Sequence, residues 1–270
     1  NVVRIGFTAL AKRLPSTLDL SSSKDEVSDE AMGILGDALL LSTERQVCAV
    51  KCNAFNLRAD STALELAGSN LWTRIKPGTA TLLASILRFH TALNEINLCN
   101  NPDLGAKGGI AIAKALEVNT SLKTLILLNN SLGDDGGIAI AKALEVNLTL
   151  SNLHVNHNNL SPSGGRAIAE MLKVNTAITS IDMGFNHLDT EGAKSIAEML
   201  RVNTSLKTLI IDRCKIGPEG GIVISEALKV NTALTKINMG FNGMDGDAKK
   251  ALRMAVKGRR GGFWGLDLDG

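Results

Sequence analysis

Two histidines and an aspartate form the most suggestive group of side chains that could do chemistry. His154 and His157 lie three residues apart, and Asp182 follows further along the chain. Imidazole nitrogens and carboxylate oxygens are common zinc ligands, and a catalytic zinc uses about three of them. Three groups with only partly fitting spacing, and without a supporting cysteine pair, are too few to indicate a metal. We therefore expect no metal site here.

The glycine-rich segment 105–109, Gly-Ala-Lys-Gly-Gly, is the second candidate for chemistry. It precedes a predicted helix, and helix N-termini attract phosphate through their free backbone N–H groups. Equivalent segments elsewhere in the chain lack the lysine, which favours a structural role in close packing. The sequence also has no Ser–His–Asp order, P-loop or dinucleotide fingerprint. We expect no catalytic residues, no cofactor and no enzymatic activity.

Charge and composition narrow the classes of partner. The 270-residue chain has a formal net charge of +2, so no general attraction to nucleic acid is expected. Its only basic run, 249–264, is interpreted as the solvated face of a helix and the following turn, with phosphate binding as the alternative. The longest apolar run falls well short of the ~18 residues of a membrane span.

Cysteine usage and the chain ends bear on location. The four cysteines, Cys48, Cys52, Cys99 and Cys214, show no paired framework, and two of them fall at predicted interior positions. This pattern indicates reduced thiols and an intracellular, cytoplasmic protein. The first residue is Asn and the last segment resembles part of a repeat, so we expect the native chain to extend further.

A recurring unit of 28 or 29 residues must position all of these side chains. Its first apolar residue falls at Leu93, Leu122, Leu150, Ile178, Leu206, Leu234 and Phe263, and the pattern within each unit is LxxLxLxxNxL. The alternating apolar residues predict a short strand with one buried face, followed by a turn and a helix. Because one unit cannot bury its apolar face alone, the units must stack.

Particular residues are expected to hold the turns and helix ends together. We predict a ladder of side-chain amides with Cys214 as a substitute, at Asn101, Asn130, Asn158, Asn186 and Asn242. Within one unit, Ile138, Ala141 and Leu144 should face the strands. Helix caps are predicted at Ser28, Thr79, Asp134, Ser161 and Thr190. A short N-terminal helix over 1–14 and a strand near Leu18 should precede the array.

The pattern over 93–270 resembles the ribonuclease-inhibitor type of leucine-rich repeat, and residues 15–92 match it more loosely. The resemblance implies an α/β solenoid, shaped as a right-handed horseshoe with parallel strands on the concave face and α-helices on the convex face. We expect one continuous solenoid in two parts. An N-terminal cap with irregular repeats should cover 1–92, and regular repeats should cover 93–270. Proteins of this type are largely cytosolic binding scaffolds.

The open strand positions predict a partner-binding surface on the concave face. In LxxLxLxxN, the third, fifth and seventh positions point away from the helices, and the eighth lies at the strand end. Large and charged groups at these positions cluster in the C-terminal half, at His154, Asn156, His157, Asp182, Phe185, Asp212, Arg213, Lys236, Asn238 and Phe241. Aromatic and arginine side chains dominate binding hot spots. Alternatively, both phenylalanines serve the repeat structure and are partly buried.

These observations predict a non-enzymatic protein–protein interaction scaffold that recognises a protein partner through its concave face. One alternative is a structural subunit of a large multiprotein assembly, contacted through its helices or the ends of the array. Another is a regulator, inhibitor or GTPase activator, of a bound enzyme. The sequence does not name the partner.

Overall fold

The computed structural model describes residues 17–19, 28–40, 49–51, 56–57, 61–66, 75–257, 263 and 265–269. The strands are β1 (Thr17–Asp19), β2 (Ala49–Lys51), β3 (Asn56–Leu57), β4 (Ala63–Glu65), β5 (Glu95–Asn97), β6 (Thr124–Ile126), β7 (Asn152–His154), β8 (Ser180–Asp182), β9 (Thr208–Ile210), β10 (Lys236–Asn238) and β11 (Gly265–Asp267). The helices are α1 (Asp29–Leu40), α2 (Pro77–Leu87), α3 (Gly105–Leu116), α4 (Gly133–Val146), α5 (Pro162–Val174), α6 (Asp189–Val202), α7 (Gly217–Val230) and α8 (Gly246–Val256). The predicted N-terminal helix, Cys48 and Cys52 lie outside the described residues.

The strands form two sheets. Strands β4 to β11 make an eight-stranded sheet whose order follows the sequence, and every neighbouring pair is parallel. The register aligns equivalent repeat positions, so that Leu125 lies beside Leu153 and Leu153 beside Ile181. Strands β1, β2 and β3 form a separate sheet, in which β3 runs antiparallel to β2. The parallel array with one helix between successive strands confirms the predicted α/β solenoid.

The core lies between the large sheet and the helices. Alternate strand residues such as Leu125 and Leu127 are fully buried, as the period of two requires. In α4, Ile140, Ala141 and Leu144 meet them and are buried, whereas Ile138 is only half-buried. The prediction for Ile138 was therefore wrong by half a turn, because Ile140, on the opposite side of the helix, is the isoleucine that faces the strands.

The predicted amide ladder is confirmed at the strand ends. Asn101, Asn130, Asn158, Asn186 and Asn242 are buried. The Asn186 Oδ1 accepts hydrogen bonds from the backbone N–H groups of Asn158 and Leu160, both at 3.0 Å. Its Nδ2 donates to carbonyl oxygens of its own repeat and of the preceding one. Each ladder residue therefore satisfies backbone groups of two neighbouring repeats.

A second asparagine ladder, not predicted, follows the helices. Its members are Asn119, Asn147, Asn175, Asn203 and Asn231, and all are buried. The Asn175 Oδ1 accepts from Ala177 and Ile178 N–H, while its Nδ2 donates 2.6 and 2.9 Å bonds to Leu144 and Asn147 carbonyls. The recurring Val-Asn pair at each helix end was the available signal. These amides therefore link the C-terminal end of each helix to the same place in the preceding repeat.

The predicted helix caps have mixed outcomes. Ser28 and Ser161 cap their own helices, accepting from Ala31 N–H and Ser163 N–H, each at 3.2 Å. Thr79 was wrong as a cap, because helix α2 begins at Pro77 and Thr79 lies inside it. The prediction that Thr190 caps its helix was also wrong.

The Thr190 hydroxyl donates to the Ile216 carbonyl of the next repeat instead of capping its own helix. Asp134 likewise acts across the repeat boundary. Its carboxylate accepts from Ser161 N–H at 2.9 Å, from Gly164 N–H at 3.0 Å and from the Ser161 hydroxyl, so it caps α5 rather than α4. Asp29 binds Gly78 N–H and Thr79 N–H in the same way.

Replacing Asp134 with Ala should lower the free energy of unfolding by about 1–2 kcal/mol, because α5 loses a capping carboxylate. Asp135→Ala is the matched control, since Asp135 is exposed and occupies the same first helical turn. We expect the control to change stability by no more than ~0.5 kcal/mol. Urea unfolding followed by circular dichroism measures both, and equal losses would assign the effect to the dipole of α4.

Candidate functional site

The sheet face away from the helices is open, and its side chains alternate with the core. In β8, Ser180 and Asp182 are half-buried on this face while Ile181 between them is fully buried. The same alternation holds in β7, β9 and β10. The strands therefore place Asp182, His154, Lys236 and Asn238 on one surface, as their positions in the pattern predicted.

The eighth repeat position has a backbone geometry that the sequence did not reveal. Its residues all adopt left-handed conformations, with φ between 52° and 60°, at Asn100, Asn129, His157, Phe185, Arg213 and Phe241. The backbone still pairs there, since Phe185 N–H donates to the Asp212 carbonyl at 2.9 Å. The conformation is thus imposed by the fold. It costs an ordinary side chain about 1–2 kcal/mol, whereas Asn tolerates it.

Four of these residues stack into one continuous row. The Arg213 guanidinium carbon lies 3.8 Å from the centroid of the Phe241 ring and 5.0 Å from that of Phe185. On the other side of Phe185, the His157 ring stacks at a centroid distance of 5.8 Å. We call His157, Phe185, Arg213 and Phe241 the aromatic–arginine row. Phe185 is 46% exposed and Phe241 52% exposed, so both rings face solvent rather than the core.

Two carboxylates lie beside the row on the open face. The Asp182 Oδ1 accepts a 2.9 Å hydrogen bond from Gly184 N–H, and its Oδ2 lies 3.9 Å from His154 Nδ1. Burial raises the pKa of Asp182 above its ordinary value, and it also raises that of Asp212. A Cβ on Gly184 would clash with Asp212 Oδ1, so the glycine makes room for that carboxylate. The nearby Asp212 charge adds to the rise at Asp182.

The remaining predicted residues contribute polar groups to the same surface. The Asn156 Oδ1 is buried and lacks a hydrogen-bond partner among the described residues. Asn238 accepts a 2.9 Å bond from Gly240 N–H, which fixes its amide at the strand end. Lys236 packs its aliphatic carbons near Gly265 of the last strand. The site therefore combines the aromatic–arginine row with adjacent acidic and amide groups.

Two exposed residues of the loops beyond the row were missed by sequence reasoning. His187 and Lys215 occupy the tenth repeat position, two residues after Phe185 and Arg213. Lys215 is also left-handed, with φ of 59°. Lys215 adds a cationic group along this edge of the sheet, and His187 adds an imidazole. Their position just before a buried apolar residue was visible in the sequence, but its exposure was not.

Other chemistry receives no support from the described part of the chain. It contains no group of three or more His, Cys, Asp or Glu side chains that could hold a metal. None of its helices has the length and apolar character of a membrane span. In the basic run, Lys249 and Arg253 form ion pairs with Asp269 at 2.7 and 3.3 Å, which fits a solvated and locally neutralised helix face.

Comparison with a known protein family agrees with this architecture. The Leucine Rich repeat family model matches residues 118–141, 146–169, 174–197 and 202–225. No curated protein sequence matches the chain.

Three solved structures are similar to the chain. Leiomodin-1 actin-binding site 2 is 24% identical, with 61% of this chain and 79% of that one covered at a TM-score of 0.40. The tropomodulin C-terminal domain of Caenorhabditis elegans is 14% identical, with 56% of this chain and 91% of that one covered at a TM-score of 0.46. The leucine-rich repeat-containing protein LegL7 from Legionella pneumophila is 16% identical, with 93% of this chain and 75% of that one covered at a TM-score of 0.48. The four matched segments and the stacked strand–helix units identify this chain as a leucine-rich-repeat solenoid.

Proposed function

We propose that this protein is a non-enzymatic interaction scaffold that binds a protein partner through the open face of its sheet. The contact is centred on the aromatic–arginine row and includes the strand residues beside it, from His154 to Asn238. The supporting observation is that large aromatic and cationic side chains stand exposed at a backbone position that disfavours them. Such strain collects at functional positions.

The N-terminal repeats provide an internal comparison. At the same eighth position, Asn100 and Asn129 adopt the same left-handed conformation with a side chain that suits it. The fold therefore accepts asparagine there, and nothing in the packing of the core requires Phe185, Arg213 or Phe241. Aromatic and arginine side chains are also the residues that contribute most at protein interfaces.

The geometry of Arg213 favours a partner that offers a carboxylate. The rings of Phe185 and Phe241 lie close to its guanidinium group, which limits the side-chain entropy lost on binding. Guanidinium N–H groups can donate two parallel hydrogen bonds to one carboxylate. The neighbouring rings would contact an apolar side chain next to that acid. We therefore expect a segment in which acidic and apolar residues alternate.

Affinity capture from a native cell extract tests the proposal. Immobilised wild-type protein should retain a stoichiometric protein partner, and Arg213→Glu should lose it. Lys107→Glu makes the same charge change at an exposed lysine of helix α3 and should retain the partner. Equal capture by all three proteins would place the contact elsewhere on the molecule.

A further inference from the structure

A second exposed apolar feature lies at the ends of the helices, away from the aromatic–arginine row. One valine per repeat ends helices α4 to α7, and another follows α3. These residues, Val118, Val146, Val174, Val202 and Val230, are between 46% and 64% exposed. Leu148 adds a further side chain at 64% exposure. We call the five valines the valine row. Each repeat thus presents an apolar group where its own fold needs none.

Charged residues flank the valine row in a pattern that reverses along the array. Residues three positions apart share one helix face, so the positions four and one residues before each valine lie together on the surface beside it. The first position carries Lys114, Lys142, Glu170, Glu198 and Glu226. The second carries Glu117, Glu145, Lys173, Arg201 and Lys229. Both signs invert between the repeats of Val146 and Val174.

This reversal makes the repeats on either side of Val174 complementary to each other in charge. A twofold axis through the repeat of Val174, parallel to its helix, brings each repeat opposite the one equally far on the other side. Glu145 of one copy then meets Arg201 of the other, and Lys142 meets Glu198. Without the reversal, like charges would face each other at these places. The valines meet valines whatever the signs of the charges.

The central repeat lies opposite its own counterpart, so its charges need partners within the same copy. Lys173 already bridges Glu170 at 2.7 Å and Glu198 at 3.1 Å, so the two charges of the central repeat, Glu170 and Lys173, are paired within each copy. Within the described part of the chain, neither Glu145 nor Arg201 forms an ion pair, which leaves both available to a second molecule. From this combination we propose that the valine row is an interface with a second copy of this chain, centred on Val174.

Sedimentation equilibrium of the full chain tests this interface. Wild-type protein should show a monomer–dimer equilibrium. Glu145→Arg or Arg201→Glu alone should raise the dimer dissociation constant at least tenfold, because symmetry places each repulsive pair in the interface twice. The double variant with both changes exchanges the charges and should return the constant to within about threefold of wild type.

Two further measurements complete the test. Val174→Asp should abolish dimerisation, and thermal unfolding should show that each variant remains folded, since all of these positions are exposed or half-exposed. A wild-type chain that stays monomeric at millimolar concentration would overturn the proposal. A double variant as weak as the single variants would also overturn it. Neither result bears on the row around Arg213, which can bind its partner in either state.

Discussion

Replacing Asn186 with Ala is expected to lower the free energy of unfolding by about 3–5 kcal/mol. The amide makes two acceptor bonds and several donor bonds within a fully buried turn. Without it, the backbone N–H groups of Asn158 and Leu160 remain buried and unpaired, at about 1–3 kcal/mol each. The loss therefore exceeds that of an ordinary exposed hydrogen bond, and it falls on two neighbouring repeats.

Urea unfolding followed by circular dichroism measures this loss. Asn94→Ala is the control, because Asn94 is exposed and, among the described residues, its amide donates only to the Ala92 carbonyl at 3.1 Å. We expect the control to stay within ~0.5 kcal/mol of wild type. A decrease below 1 kcal/mol for Asn186→Ala would mean that water enters the turn and replaces the amide.

Replacing Phe185, Arg213 and Phe241 together with Asn should weaken partner binding at least 100-fold. Each residue is expected to supply a large part of the interface energy, as buried aromatic and arginine anchors do. The free energy of unfolding should change by less than ~1 kcal/mol. Loss of two cation–π contacts is offset by relief of three left-handed side chains, because asparagine occupies this conformation readily.

Calorimetric titration of the captured partner gives the affinity, and urea unfolding gives the stability. Asn100→Ala changes the same repeat position in the N-terminal part of the array and should leave the affinity within about threefold of wild type. Undiminished affinity in the triple variant would contradict the proposed site. A large stability loss would instead assign the three side chains to the repeat structure.

The sequence predicts most of the fold because its period records burial directly. A leucine or isoleucine at each interior position specifies both the strand and the face that packs on the helix. Where that period weakens, prediction fails. The antiparallel strand β3 lies between two irregular repeats, and helix α2 begins at Pro77 rather than at Thr79. Strand β3 pairs with β2, its neighbour in the chain, at a place where the repeat spacing is irregular. The start of α2 is held by a contact between distant segments, Asp29 with Gly78, which no local pattern contains.

The candidate site is only partly predictable for a similar reason. Alternation places Asp182 on the open face, and repeat position places Arg213 at a strand end. The left-handed backbone there does not follow from the residue types, since Phe and Arg disfavour it. Nor does the stacking of Arg213 on Phe241, because it depends on side-chain rotamers across adjacent repeats.

The asparagine ladder also gives the solenoid a direction for folding during synthesis. Asn186 supplies the acceptor for N–H groups of the preceding repeat, and Asn158 does the same one repeat earlier. The turn of each unit is therefore completed by a residue that the ribosome adds about 28 positions later. During synthesis, the turn of the newest repeat therefore lacks its hydrogen-bond acceptor until the following repeat has been made. Complete folding of each repeat is expected to lag synthesis by one repeat.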